Sequence, residues 1–159
     1  DLRNSKDVRD AFVAIETKLT QLGKRDQMQG VTVQPMIREG IETIVGMTRD
    51  PSFGPLILFG LGGVQVELLK DVALRVNPLT DKDASEMVRA IRGAKLLDGY
   101  RGAPPGDVAK LEEVILRLSQ LVGEFPEIAE MDLNPLKVQA PGKGCIALDA
   151  RVLVRAPKA

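Results

Sequence analysis

The stretch Ala140-Pro141-Gly142-Lys143-Gly144-Cys145 separates two β-rich runs, Glu130 to Leu136 and Ala147 to Val152. Pro and Gly this dense between two such runs read as a hairpin loop, which obliges the flanking strands to pair antiparallel. With Pro141 to Gly144 as a four-residue loop, Ala140 faces Cys145, Leu133 lies opposite Val152, Asn134 opposite Arg151, and Leu136 opposite Asp149. Side chains alternate along a strand, so Ile146, Leu148, Ala150, Val152 and Val154 share a face with Leu133, while Asp132, Asn134, Asp149 and Arg151 gather on the other. Asn134 and Asp149 are then diagonal neighbours, roughly 7–8 Å apart at the backbone. Two oxygen donors so placed can converge on one hard cation of the Mg²⁺ kind, which binds oxygen at about 2.0–2.1 Å. The same spacing describes an edge hairpin with a solvated polar face, and the hairpin residues by themselves leave both possibilities open. Arg151 shares the polar face with Asp149, which favours a salt bridge between them.

The rest of the chain alternates amphipathic helices with short β-rich runs. Asn4 or Ser5 can cap a helix whose stripe is Val8, Phe12, Ile15, Leu19 and Leu22, with Gly23 as its stop. A helix with one apolar stripe and a charged back is expected to cover a sheet. Val31 to Ile37 is a β-rich run carrying Pro35, which cannot donate to a ladder, so that strand ends there or lies at an edge. Its backbone polar groups offer a hydrogen-bonding edge to a purine base, or equally a plain loop entry. Strands are expected at Ile41 to Met47 and Pro55 to Phe59 around the turn Arg49 to Gly54, and at Val64 to Leu69 and Val72 to Val76. Gly60-Leu61-Gly62-Gly63 lacks the Gly-Lys-Ser/Thr ending and the dinucleotide spacing of phosphate-binding loops. It reads as a sharp bend needing positive φ, or as a close backbone approach to a ligand. Glu67, Lys70 and Asp71 suit either phosphate contacts or a solvated turn. Thr80, with Asp83 in the first turn, caps a helix striped by Met87, Val88 and Ile91. Asp107 caps the clearest helix, with Val108, Leu111, Ile115, Leu118 and Val122 on one face and Phe125-Pro126 as its break. Strand after strand with short turns, joined to two or three amphipathic helices, makes an α+β domain with a mostly antiparallel sheet.

Charge and composition remove several functions. Lys plus Arg equals Asp plus Glu at 22 each, so no net field draws the chain to nucleic acid or anionic lipid, and aromatics at 3% leave few stacking platforms for single strands. No apolar run reaches transmembrane length, so neither nucleic acid nor membrane is an expected partner. Histidine is absent, which rules out a histidine base, ligand or phosphohistidine on this chain. The single cysteine cannot form an intrachain disulfide and suits a reducing cytoplasm.

Several motifs occur in a fixed order: Val33-Gln34-Pro35-Met36-Ile37, Gly40-Ile41-Glu42, Asp50-Pro51-Ser52-Phe53-Gly54-Pro55, Phe59-Gly60-Leu61-Gly62-Gly63-Val64, Glu67-Leu68-Leu69-Lys70-Asp71-Val72, Gly99-Tyr100-Arg101-Gly102, Asp132-Leu133-Asn134-Pro135-Leu136 and Leu148-Asp149-Ala150-Arg151. Together they resemble the ATP-grasp portion of the nucleoside-diphosphate-forming acyl-CoA synthetases, and more distantly the succinyl-CoA synthetase β subunit. The resemblance runs from Asp1 to Arg155 and implies the C-terminal lobe of an ATP-grasp fold, residues 1–155 as one domain and 156–159 as a tail.

That family passes a phosphoryl group between nucleotide and a mobile phosphohistidine loop, then makes an acyl phosphate and an acyl-CoA. The resemblance implies ATP or ADP as substrate, Mg²⁺ on Asn134 and Asp149, and Asp132 as the carboxylate near the phosphohistidine. It implies Gln34, Pro35, Met36 and Ile37 as the adenine-reading hinge, with Glu42 on the ribose hydroxyls and Glu39 in reserve. The family's phosphate-binding lysine lobe and its CoA-binding and phosphohistidine-bearing domains have no counterpart here. The chain is therefore expected to be part of an acid–thiol ligase that needs those partners for turnover. A sheet face that normally meets another lobe also invites a homo-oligomer. The alternative within the resemblance is a non-catalytic synthetase-like module of a protein lysine acetyltransferase.

Overall fold

A computed structural model describes residues 1–63 and 71–155, arranged as two compact units, Asp1–Arg38 and Glu39–Ala159. The expected strand Val64 to Leu69, with Glu67 and Lys70, lies outside the described residues. Among the described residues no helix is long and apolar enough to cross a membrane.

In the first unit, helix α1 spans Ser5–Gln21. Asn4 caps it by accepting the Lys6 and Asp7 N–H groups at 2.8 and 3.0 Å. Gly23, at φ +66°, ends it where a side chain would be disfavoured. None of its residues is buried, and Val8, Phe12 and Leu19 of its apolar stripe are half-buried. Val31 to Ile37 forms no regular strand, and Val31, Val33 and Met36 are exposed. β propensity expresses a fit to a paired, half-buried surface, and Pro35 withholds one of the donors such pairing needs.

Among the described residues the second unit holds a six-stranded sheet: β1 Ile41–Asp50, β2 Gly54–Leu61, β3 Val72–Val76, β4 Ile128–Val138, β5 Cys145–Ala147 and β6 Ala150–Val154. The order is β3-β2-β1-β4-β5, with β6 also on β4, and every pairing is antiparallel. Asp50 makes the β1–β2 turn tight by accepting the Ser52 and Phe53 N–H groups. Two helices lie between β3 and β4, α2 Asp81–Ala90 and α3 Val108–Glu124. Thr80 and Asp83 form a reciprocal capping box at the start of α2. Val45, Met47, Ile57, Phe59 and Leu61 of the sheet form one core with Met87 and Val88 of α2 and Leu111, Ile115, Leu118 and Val122 of α3. The β strands therefore present one face to the helices and the other to the polar residues considered next. The α+β, mostly antiparallel architecture expected from the sequence is the one observed.

Arg49 fixes where β4 begins. Its guanidinium donates to the Ile128 carbonyl at 2.6 Å, to Val122 at 3.0 Å and to Phe125 at 3.3 Å, so a β1 side chain caps the end of α3 and the entry of β4 together.

Candidate functional site

The polar hairpin is best followed from its loop. Pro141 and Gly142, the latter at φ +80°, occupy the two central positions of a turn closed by the Lys143 N–H donating to the Ala140 carbonyl at 2.9 Å. This is the placement a type II turn prefers, proline first and glycine second. The next pair outward is Gln139 with Gly144, whose carbonyl accepts the Gln139 N–H at 2.9 Å. The loop is four residues long, as expected, but begins at Ala140 instead of Pro141. That slip of one moves every cross-strand partner by two, so Leu136 lies opposite Ala147 and Leu133 opposite Ala150. An even shift preserves faces along a regular ladder, but β4 is irregular between Leu133 and Leu136, both of which pack on the core.

Asp107 holds the loop to the helix. One carboxylate oxygen accepts the Lys110 N–H at 3.3 Å and caps α3, while the other accepts Gly142 and Gly144 N–H at 2.9 and 3.0 Å. The Gly144 N–H, with smaller help from Lys110 and Gly142, holds this carboxyl below its ordinary value against a modest desolvation cost.

The corrected register brings the candidate metal ligands closer than the diagonal arrangement did. Between β5 and β6 the ladder is interrupted at Leu148 and Asp149, where Leu148 N–H donates to the Pro135 carbonyl at 3.0 Å and Asn134 N–H donates to the Asp149 carbonyl at 3.2 Å. Asn134 and Asp149 are thus direct backbone partners, and both are exposed. Asp132 pairs with Arg151 in the same ladder, and Arg151 Nε stands 3.4 Å from Asp149 Oδ2. The expected Arg151–Asp149 salt bridge is present, on side chains exposed enough to part readily. Asp132 is half-buried over Gly46, where an added Cβ would meet Asp132 Oδ1 at 3.7 Å and the Met131 carbonyl oxygen at 3.0 Å. A cleft of about 250 Å³ opens here, lined by Glu130, Asp132, Arg151, Val152 and Leu153.

Among the described residues no group of three or more His, Cys, Asp and Glu side chains is arranged for a metal. A cation at Asn134 and Asp149 would take two protein oxygens and fill its remaining positions from water and ligand. That donor set fits Mg²⁺, which dehydrates reluctantly and commonly binds through one or two carboxylates plus phosphate oxygens.

Glu42 begins β1 opposite Lys137, and their charged groups meet at 3.2 Å. Glu39 is exposed and lines a larger cavity of about 400 Å³ with Gly40, Ile41, Pro104, Pro105 and Val138. Gln34, Pro35 and Met36 are exposed in extended, irregular chain, and Ile37 is half-buried. Among the described residues, none of the four enters a backbone–backbone hydrogen bond, which leaves their C=O groups and the N–H groups of Gln34, Met36 and Ile37 for a ligand. Asp71 is used structurally, its carboxylate accepting the Arg92 and Gly93 N–H groups at 2.9 Å each. Gly62 shows why the glycine cluster is there: an added Cβ would fall 2.9 Å from Glu42 Cβ and 3.0 Å from its carbonyl carbon. The close approach is to the protein's own β1.

Lys137 is the residue that the sequence did not bring forward. The only local sign was a lysine between two apolar residues of a strand, Leu136 and Val138. Cys145, beside the loop, is half-buried, and that burial, with Asp107 nearby, pushes its thiol up to about 11. It is a poor nucleophile.

Residues 1–154 match the ATP-grasp domain family. Relatives include the 4-hydroxybutyrate–CoA ligase (ADP-forming) of Nitrosopumilus maritimus, 45% identical over 96% of this chain and 22% of its own length. Subunit beta of the acetate–CoA ligase (ADP-forming) I of Pyrococcus furiosus is 41% identical over 97% of this chain and 66% of its own length. Among solved structures, the dinucleotide forming acetyl-coenzyme A synthetase 1 of Ca. Korarchaeum cryptofilum, bound to coenzyme A and Ca-AMPCP, superposes with a TM-score of 0.88 at 40% identity, covering 97% of this chain and 66% of that one. The same protein with coenzyme A and Mg-AMPPCP gives 0.83 at 39% identity, covering 98% and 66%, and its phosphohistidine segment points towards the nucleotide binding site. The chain spans between about a fifth and two thirds of the length of these relatives.

Proposed function

Because the chain belongs to the ATP-grasp domain family, we propose that it is the Mg²⁺- and nucleotide-binding part of an ADP-forming acyl-CoA synthetase, working with a CoA-binding, phosphohistidine-bearing domain or subunit. The observation that carries this reading is the backbone pairing of Asn134 with Asp149, one Asn and one Asp opposed in the ladder two residues from Asp132 and Arg151 of the cleft. The Mg-AMPPCP complex of the archaeal relative supports the same class of ligand.

Asn134 and Asp149 would hold the cation, and the cation would neutralise charge on the phosphoryl group in transfer. Arg151, already paired with Asp149, aligns that carboxylate before the cation arrives and can then turn to an anionic oxygen. Asp132, half-buried beside Gly46, lies at the position from which a carboxylate can orient an incoming imidazole by accepting its N–H. The open backbone groups of Gln34 to Ile37 suit the edge of an adenine, and Glu42 suits ribose hydroxyls. The chain carries no histidine, so the phosphoryl acceptor comes from its partner, and the chain without that partner does not turn over.

Substitution of Asp149 by Asn in the complete synthetase tests the assignment. Removing the only charge that the two ligands carry should weaken Mg²⁺–ATP binding by about tenfold or more and leave the thermal unfolding midpoint within a few degrees. Wild-type affinity and turnover in Asp149→Asn would remove the metal site from this hairpin.

A further inference from the structure

Lys137 is one of the three polar or charged residues buried in the described chain, and its side chain is only 10% exposed. A buried ammonium is costly unless paired. Its partners are few. Nζ lies 3.2 Å from Glu42 Oε1, and the Gly40 carbonyl is at a marginal 3.5 Å. The pairing is dictated by the sheet, since Lys137 and Glu42 are directly opposed in the β1–β4 ladder and their side chains leave the same face. Leu136 and Val138, its neighbours, point into the core, so Lys137 serves the opposite side of the sheet.

Glu42 is held from two further directions. The Gly62 N–H donates to its carbonyl at 2.6 Å, and the missing Cβ of Gly62 lets the two chains touch. Gly63 likewise lacks a side chain where one would stand 3.3 Å from Glu42 Oε2. The outcome is a carboxylate with its backbone fixed, one oxygen bound to a buried ammonium, the other beside a residue without a side chain, and a side chain still 44% exposed. A pair built only for stability would gain nothing from a carboxylate left 44% exposed, with Gly63 in place of a side chain next to its second oxygen. A carboxylate meant to accept hydrogen bonds from ligand hydroxyls needs that arrangement, because immobilising it beforehand removes the cost of ordering it on binding.

We infer that Lys137 is a positioning residue that holds Glu42 for the vicinal hydroxyls of a nucleotide's ribose. The inference rests on the nucleotide reading proposed above and adds to it the group that orients the acceptor. A free Glu42 would swing among rotamers and lose its lead over a ligand without hydroxyls. A fixed one reads them.

The test uses the complete synthetase with ATP and 2′,3′-dideoxy-ATP. Lys137→Met should raise KM for ATP about tenfold with kcat within twofold of wild type, and should leave KM for the dideoxy nucleotide unchanged, so that the preference for ATP collapses. Lys137→Arg, which restores the charge, should recover most of that preference. If the Met variant does not fold, Lys137→Gln, which keeps a donor without the charge, is read in its place and should lose part of the preference. A Lys137→Met or Lys137→Gln variant that folds and keeps the wild-type preference overturns the inference. Glu42→Gln separates the two levels: if it also leaves the preference intact, the placement of Glu42 at the ribose is wrong. If Glu42→Gln abolishes the preference and Lys137→Met does not, only the role of the lysine fails.

Discussion

Substituting Arg49 by Met removes the cap that joins α3 to β4 while keeping most of the side chain's apolar length. The guanidinium makes two well-formed bonds to carbonyls, at 2.6 and 3.0 Å, and a longer third at 3.3 Å. Hydrogen bonds to a charged group contribute about 1.5–3 kcal/mol each, and a half-buried site sits at the low end of that range. Two such bonds amount to about 3 kcal/mol. Water can reach the Phe125 end and recover part of it, which leaves an expected loss of about 2–3 kcal/mol. Arg49→Lys keeps a positive charge at the helix terminus, an interaction of about 0.3–1 kcal/mol, but can satisfy only one of these carbonyls well, so it should lose about 1–2 kcal/mol. Urea unfolding followed by circular dichroism at 222 nm gives both values from the midpoint and slope. Because Arg49 sets where β4 enters the sheet, Arg49→Met should also speed amide exchange at Ile128 and in the last turn of α3 before it affects α2. An Arg49→Met protein within about 0.5 kcal/mol of wild type, with unchanged exchange at those sites, would show that the cap is not what ties the helix to the strand.

Two other outcomes follow from the hairpin. Folding favours the ionised form of Asp107, so its contribution is complete above about pH 4, the ordinary carboxylate value, and is lost as the pH falls through its lowered folded value. Asp107→Asn should therefore be less stable than wild type at neutral pH and approach it in acid, as urea titrations at pH 7 and pH 2.5 will show; a gap of constant size would contradict the role given to the carboxylate. With its thiol pushed up to about 11, Cys145 should react with iodoacetamide at pH 8 about a hundredfold more slowly than an unperturbed thiol, and reach the ordinary rate in urea. Equal rates in the native and unfolded chain would mean the thiol is not shielded.

How much was legible before the fold was known depends on how far apart the interacting residues lie. Asn4, Thr80 and Asp107 each announced a helix because a cap acts on backbone groups two or three residues away. Met87, Val88, Leu111 and Ile115 announced the core side because a helical stripe is written at spacings of three and four. The hairpin was visible in Pro141 and Gly142, but its register was not. Which loop residue occupies the first central position of the turn decides the partners of the whole strand, and Pro141 takes that position only when Ala140 becomes a corner.

The amino-acid order by itself settled the helices and the antiparallel class of the sheet, both of which depend on periodicity and turn chemistry along a few neighbouring residues. Only the tertiary structure made Asn134 and Asp149 direct partners, set Arg49 over the end of α3, and left Val31 to Ile37 without a strand's pairing. It alone joined Lys137 to Glu42, since the β1–β4 ladder that opposes them pairs residues 95 positions apart in sequence.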